Sequence, residues 1–159
     1  MLVLVLNGPI NAGKTTTGKA LAAILPDAAF FDGDDHDAPD DAPLDRRIEA
    51  ALQRMEALIA STMAAVLILA FPLRSADYVR LKLACTSRAA ELCVVTLAPS
   101  IEIATRNRGT RELGPDEIAR SRQMYAEGYA SRDFSDLTIC EMTTPEATAR
   151  HICRDLGLS

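Results

Sequence analysis

The feature that most constrains this chain is the segment 8–15, Gly-Pro-Ile-Asn-Ala-Gly-Lys-Thr. It matches the phosphate-binding loop (P-loop) pattern G-x-x-x-x-G-K-[ST] at every fixed position. The apolar run 2–6 before it predicts a buried strand, and the run from Thr16 to Leu25 after it predicts a helix. A P-loop requires this order of strand, loop and helix, so the segment predicts an α/β fold with a nucleotide phosphate site near its N-terminus.

The residue types of the loop suit phosphate binding. Gly8 and Gly13 allow the tight turns that point backbone N–H groups at phosphate oxygens, and the helix N-terminus adds partial positive charge. Lys14 is expected to reach the β- and γ-phosphates of the nucleotide, and the Thr15 hydroxyl is expected to bind Mg²⁺. The predicted nucleotide-binding residues of the loop are Gly8, Asn11, Ala12, Gly13, Lys14, Thr15 and Thr16.

Predicted strands and helices alternate along the rest of the chain. Apolar runs predict further strands at 28–31, 64–71, 91–97 and 137–140. Helical patterns lie at 44–63, 74–86, 100–107, 115–129 and from 144–146 to Gly157. This alternation predicts a parallel sheet covered by helices on both faces, and the length of 159 residues predicts one domain spanning 1–159.

Composition excludes several function classes. The net charge of −5 and the pI near 5.0 argue against a nucleic-acid surface. No apolar run approaches the roughly 20 residues that span a bilayer, and no basic leader precedes the first strand, so neither a membrane span nor a signal peptide is expected. The four cysteines lack metal-type spacing and are expected to be free thiols in a cytoplasmic protein.

Two carboxylates follow the second predicted strand, Asp32 and Asp34. The third strand ends in Ala-Phe-Pro, without the acidic residue that many P-loop NTPases use for Mg²⁺. Because ligands bind at the carboxyl ends of parallel strands, both aspartates are expected to face the P-loop, and on an extended segment they would point the same way. Asp32 is expected to bind Mg²⁺, and Asp34 to accept the proton of an attacking hydroxyl. The alternative is an acidic surface loop, since further aspartates follow up to Asp45.

These residues resemble a family. The P-loop together with Phe31-Asp32-Gly33-Asp34 is similar to the small P-loop kinases of metabolites, among them gluconate kinase, shikimate kinase and adenylylsulfate kinase. The segments most similar to gluconate kinase are 32–37, with His36, and 73–81, with Arg74. The C-terminal third looks more like chloramphenicol phosphotransferase, at 108–111, 127–128 and 136–139.

The resemblance implies a sheet order of 2-3-1-4-5 and an arginine-rich ATP lid at about 107–117. In such kinases lid arginines cover the phosphates, so Arg106 and Arg108 are expected to bind ATP and Arg111 to act in catalysis. Arg120 and Arg122 follow on the next helix. Each of these arginines has the alternative of being a solvated surface charge.

The acceptor is less constrained than the nucleotide. The resemblance implies acceptor contacts from Asp34 and His36, and Arg46, Arg47 and Arg74 are candidates for an anionic acceptor. The proline and asparagine that follow the histidine in gluconate kinases are missing, because Ala-Pro-Asp-Asp stands at 38–41. Among candidate acceptors a gluconate-like sugar acid ranks first, and an antibiotic or a nucleoside- or shikimate-type acceptor ranks next.

The sequence therefore predicts a cytoplasmic, ATP- and Mg²⁺-dependent phosphotransferase that acts on a hydroxyl of a small molecule. It is expected to be a monomer or homodimer with no nucleic-acid or membrane partner. Two other classes stay open: a nucleotide-binding regulatory module with little turnover, and an ATPase that works on a protein partner.

Overall fold

The computed structural model describes residues 1–108 and 112–159, in which five strands form one parallel sheet in the order β2-β3-β1-β4-β5. The strands are β1 (Leu2–Asn7), β2 (Ala28–Asp32), β3 (Val66–Ala70), β4 (Glu91–Leu97) and β5 (Leu137–Ile139). The helices are α1 (Lys14–Ile24), α2 (Leu44–Ser61), α3 (Ser75–Ser87), α4 (Ile101–Ala104), α5 (Pro115–Ala126) and α6 (Pro145–Leu156). The predicted parallel sheet and its order are confirmed.

The central strand β1 is buried on both of its faces. Val3 and Val5 pack in one apolar cluster with residues of α2 and α3, whereas Leu4 and Leu6 pack in a second cluster with residues of α1 and α6. Since successive side chains of a strand point to opposite faces, an unbroken apolar run requires cover on both sides. The run at 2–6 is therefore apolar throughout because helices lie on both faces of the sheet.

Several predicted element boundaries differ from the structure by one to three residues, and the third strand and the helix expected over 115–129 are two of them. The third strand was expected over 64–71 but begins at Val66, which pairs with Leu2, the first residue of β1. The helix expected over 115–129 ends at Ala126 because the chain turns there, with Gly128 at a φ of +81°. Both differences shorten an element without moving it in the fold.

A buried asparagine joins three parts of the structure beside the P-loop. Asn7 is fully buried, and its side-chain amide donates to the Thr96 hydroxyl at 2.9 Å and to the Tyr129 carbonyl at 3.2 Å. Its side-chain oxygen accepts the Leu73 amide at 2.8 Å. These bonds hold the end of β1 against β4, the segment after β3 and the turn after α5.

Replacing Asn7 with alanine is expected to lower the free energy of unfolding by about 3 kcal/mol, because buried groups on Leu73 and Thr96 lose their partner. Urea unfolding followed by circular dichroism measures the change. Thr86→Ala is the control, since its hydroxyl bond lies on the exposed surface of α3. Equal stability of the two variants would contradict a structural role for the Asn7 network.

None of the helices in residues 1–108 and 112–159 is long and apolar enough to cross a membrane.

Candidate active site

The P-loop connects β1 to α1 with two glycines in backbone conformations that other residues rarely adopt. Gly8 has a φ of +146° and Gly13 a φ of +93°. A Cβ atom at Gly8 would lie 2.4 Å from the carbonyl oxygen of Leu97 in β4. Glycine is therefore required at position 8 both by the turn and by the close approach of the neighbouring strand.

Lys14 lies over the P-loop itself. Its Nζ atom donates to the carbonyl oxygens of Gly8 at 3.0 Å and Pro9 at 2.7 Å. These bonds hold the ammonium group at the rim of the cavity that the loop surrounds. A lysine at this point is a compact, mobile positive charge, which suits the recognition of a phosphate.

Asp32, at the end of β2, faces the first turn of α1. The Thr15 hydroxyl donates a short hydrogen bond to its carboxylate, and the other carboxylate oxygen accepts the Asp34 amide at 3.0 Å. The segment after Asp32 is therefore a turn rather than the extended segment expected from the sequence, because the aspartate side chain bonds to the backbone two residues on. Asp34 nevertheless lines the same cavity as Asp32.

A first cavity of about 570 Å³ lies over the P-loop. Asp32 and Asp34 form one wall, and Arg108 forms another. The residues of the loop and of the first turn of α1 that line it are Ile10, Asn11, Ala12, Gly13, Lys14, Thr15, Thr16 and Thr17. Met142, Thr143, Pro145 and Thr148, just before α6 and in its first turn, line it as well. The sequence pattern did not predict these four residues, which carry no motif and are brought to the loop only by the order of the strands.

Of Arg106 and Arg108, the two predicted lid arginines among the described residues, Arg108 is the one that lines the first cavity. Its Nη2 atom donates to the carbonyl of Asn11, its Nε atom is buried without a hydrogen bond, and burial lowers the pKa of its guanidinium group. Arg106 is exposed and its Nε atom donates to the Glu102 carbonyl, so it does not line the cavity. Arg111 lies outside the described residues.

Asn11 connects the P-loop to the segment that carries these arginines. It has a φ of +62°, and its side-chain amide donates to the carbonyls of Ala104 and Arg106, both at 3.0 Å. The loop is thus attached to the end of α4 by side-chain bonds as well as by the Arg108 contact. These contacts fix where the following segment begins relative to the cavity.

A second cavity, of about 490 Å³, adjoins the first. Both cavities are lined by Ile10, Asp34 and Pro72, so Asp34 lies where they meet. The other residues that line the second cavity are Gly33, His36, Leu44, Arg47, Ile48, Ala51, Phe71, Arg74, Asp116, Glu117, Arg120, Met124 and Tyr129.

The structure places the predicted acceptor residues unequally. His36 and Arg74 line the second cavity, whereas Arg46 is exposed and lies outside both cavities. Its neighbour Arg47 lines that cavity instead, because Leu44, Arg47 and Ile48 share the face of α2 that borders it.

Residues of α5 form a wall of the second cavity that the sequence did not assign to the acceptor. Asp116, Arg120 and Met124 are spaced four residues apart and therefore lie on one helix face. That spacing is visible in the sequence, but nothing in it shows that this face turns toward the crevice. Arg120, expected only to follow the lid, thus lies in the acceptor-side cavity.

Comparisons with solved structures agree on the architecture. The chain is similar to a gluconokinase from Sinorhizobium meliloti 1021, with a TM-score of 0.69 and 15% identity, over 98% of this chain and 95% of that one. It is also similar to the Mycobacterium tuberculosis APS kinase in complex with AMPPNP and APS, with a TM-score of 0.67 and 14% identity, over 98% and 97% of the two chains. The chain has the P-loop kinase fold.

A third similar structure is the tunicamycin resistance protein of Deinococcus radiodurans, with a TM-score of 0.64 and 20% identity, over 99% of this chain and 96% of that one. No protein-family model matches the chain, and no curated protein matches it in sequence. At such identities the likeness defines the fold, and the function has to be argued from the site of this chain.

Proposed function

We propose that this protein is an ATP-dependent phosphotransferase that moves the γ-phosphoryl group of ATP to a hydroxyl of a small molecule. The observation that carries the proposal is the meeting of two cavities at Asp34, one over the P-loop and one beside it. A donor and an acceptor held in such adjoining cavities would react as neighbours rather than by chance encounter. A module that only binds a nucleotide needs the first cavity alone.

The residues of the first cavity suit Mg·ATP. Thr15 and Asp32 place a hydroxyl and a carboxylate oxygen side by side, which are ligand types that Mg²⁺ prefers. Within residues 1–108 and 112–159 no group of three or more His, Cys, Asp or Glu side chains could hold a metal, which suits an ion shared with substrate phosphates. Bound there, Mg²⁺ would neutralise charge on the β- and γ-phosphates. Lys14 adds a positive charge from the loop.

Asp34 has the position of a general base. In the proposed step the acceptor oxygen forms a bond to the γ-phosphorus, the bond to the β–γ bridging oxygen breaks, and ADP leaves. The proton of the acceptor hydroxyl passes to the Asp34 carboxylate. Ile10 and Pro72 line the junction of the two cavities together with Asp34.

The proposal also assigns a role to the segment after β4, which is that of a lid over the phosphates. One domain spanning 1–159 carries a lid at about 107–117, and Arg106, Arg108 and Arg111 act on the phosphates when it closes. The Arg108 guanidinium already lies beside the P-loop, 3.8 Å from where a Cβ atom at Gly13 would be. We place the enzyme in the cytoplasm as a monomer or homodimer.

The first candidate for the acceptor is a sugar acid such as gluconate, the acceptor of gluconate kinases. An antibiotic or a nucleoside- or shikimate-type acceptor is the alternative. The similarity to a tunicamycin resistance protein supports the antibiotic among these. A regulatory nucleotide-binding module is disfavoured by the second cavity, which such a module has no use for. An ATPase that acts on a protein is disfavoured for the same reason.

Replacing Asp32 with asparagine is expected to raise the Mg²⁺ concentration for half-maximal turnover at least about tenfold, because a charged oxygen ligand becomes neutral. Turnover measured against free Mg²⁺ at saturating ATP tests this. Asp35→Asn is the control, since Asp35 belongs to the same acidic turn but lines neither cavity. An unchanged Mg²⁺ dependence in Asp32→Asn would remove Asp32 from the metal site.

The proposed activity is tested by release of ADP from Mg·ATP with a panel of acceptors. The panel contains gluconate and other sugar acids, shikimate, adenylylsulfate, nucleosides, tunicamycin and chloramphenicol. We expect one class of acceptor to raise ADP release well above the rate without acceptor. Tight binding of Mg·AMPPNP with no response to any acceptor would favour the regulatory module instead.

A further inference from the structure

Asn11 combines a backbone conformation that suits glycine with a side chain that bonds outside the P-loop. Its φ of +62° lies in the left-handed region, which asparagine tolerates better than most residues but glycine adopts more easily still. Glycine alone would therefore satisfy the turn. The asparagine adds a side-chain amide that donates to the carbonyls of Ala104 and Arg106, both at 3.0 Å. The residue type at position 11 thus serves contacts beyond the loop as well as the turn.

The two bonds from Asn11 hold the end of α4 and the residues just after it. Ala104 is the last residue of this helix, and the final carbonyls of a helix have no partner within it. Because a helix of four residues has little stability of its own, contacts from outside it determine where its end lies. Arg106 comes two residues before Arg108, so the second bond also fixes the backbone from which the Arg108 side chain extends.

The Arg108 guanidinium returns to the same loop residue. Its Nη2 atom donates to the main-chain carbonyl of Asn11, so that Asn11 holds Arg108 both through the backbone before it and at the end of its side chain. The guanidinium lines the first cavity, and its Nη2 atom lies 3.8 Å from where a Cβ atom at Gly13 would be. A charged group that is already held at its place of action reorganises little when its ligand arrives.

We propose that Asn11 is the positioning residue of Arg108, which it holds beside the phosphate-binding loop before a nucleotide enters. The inference rests on the nucleotide-binding part of the proposed function, and it applies to a regulatory module as well as to a kinase. Arg108 is in place before the lid closes, and it is placed there because residue 11 is asparagine rather than glycine.

A double-mutant cycle on the Kd of Mg·AMPPNP tests this inference. Asn11→Gly keeps the left-handed backbone and the carbonyl that Arg108 contacts, and removes the side-chain bonds. It should raise the Kd about three- to tenfold, the scale of one or two lost hydrogen bonds. Arg108→Gln should raise the Kd about 10- to 100-fold, because charge-assisted bonds to phosphate are lost. Added to Arg108→Gln, the change Asn11→Gly should alter the Kd by less than about twofold, since Asn11 acts through Arg108.

Thr105→Val is the matched control, because the Thr105 hydroxyl donates within α4, to the Ile101 carbonyl at 2.7 Å, and not to the loop. Its Kd should equal that of the wild type. All affinities are compared at a temperature at which melting curves without nucleotide show every variant to be folded.

Two results of this cycle would overturn the inference while the proposed function stands. If Asn11→Gly binds Mg·AMPPNP as tightly as the wild type, the turn is the whole role of Asn11. If the effects of Asn11→Gly and Arg108→Gln multiply, Asn11 acts independently of Arg108. A wild-type protein that binds no Mg·AMPPNP would reject the proposed function and the inference together.

Discussion

Replacing Asp34 with asparagine is expected to lower the rate of phosphoryl transfer by about 10²- to 10⁴-fold, the usual contribution of a general base. The substitution keeps the size of the side chain and its place where the two cavities meet, but it removes the ability to accept a proton. Binding of Mg·AMPPNP should change little, because no contact to the phosphates is assigned to Asp34. Rapid-quench measurement of single-turnover product formation follows the chemical step itself.

The control for this prediction is Asp37→Asn, an exposed aspartate of the same acidic loop that lines neither cavity. It should retain the wild-type rate. If Asp34→Asn also transfers at the wild-type rate, Asp34 is not the base. If Asp34→Asn instead loses Mg·AMPPNP binding in parallel with turnover, it acts on the nucleotide and the division into donor and acceptor cavities is wrong.

Replacing Lys14 with alanine is expected to lower turnover by about 10²- to 10³-fold, since a preorganised positive charge is removed from the transferring phosphoryl group. The affinity for ATP should fall as well, which separates this variant from Asp34→Asn. In the structure Lys14 donates to the carbonyls of Gly8 and Pro9, so its loss also removes two bonds across the loop. Titration with AMPPNP and steady-state kinetics together measure both effects.

Lys19→Ala is the matched control, because Lys19 is exposed on the same helix α1 and lines neither cavity. Its turnover should equal that of the wild type. Melting curves of both variants without nucleotide show whether the loop bonds of Lys14 contribute to folding. Full activity of Lys14→Ala would contradict the account of the P-loop given above.

The nucleotide side of the site could be predicted from the sequence because a short motif determines its backbone. Gly8 and Gly13 have positive φ values that the loop requires, and Lys14 and Thr15 follow in fixed positions on α1. Asp32 was located by a rule of topology, since the ends of parallel strands meet at one edge of the sheet. The order of the strands, which no local pattern contains, was available only through resemblance to a family.

The acceptor side was predicted less well, for physical reasons. The difference between Arg46 and Arg47 is one helical position, about 100° around the axis of α2, and only packing determines which of the two faces inward. Arg74 was expected to contact the acceptor and does line the second cavity. Its guanidinium group, however, is already paired with the Asp77 carboxylate. Contributions from α5 and α6 depend on long-range contacts that carry no local signature.

Transfer of label from [γ-³²P]ATP to a small molecule tests the central claim most directly. Wild-type protein and Asp34→Asn are each incubated with Mg²⁺, labelled ATP and a mixture of hydroxy acids, polyols and nucleosides, and the products are separated by chromatography. The account predicts a labelled product that contains a carboxylate, formed by the wild type and reduced at least about 100-fold in the variant. Label found only in inorganic phosphate, or an equal amount of product from both proteins, would contradict it.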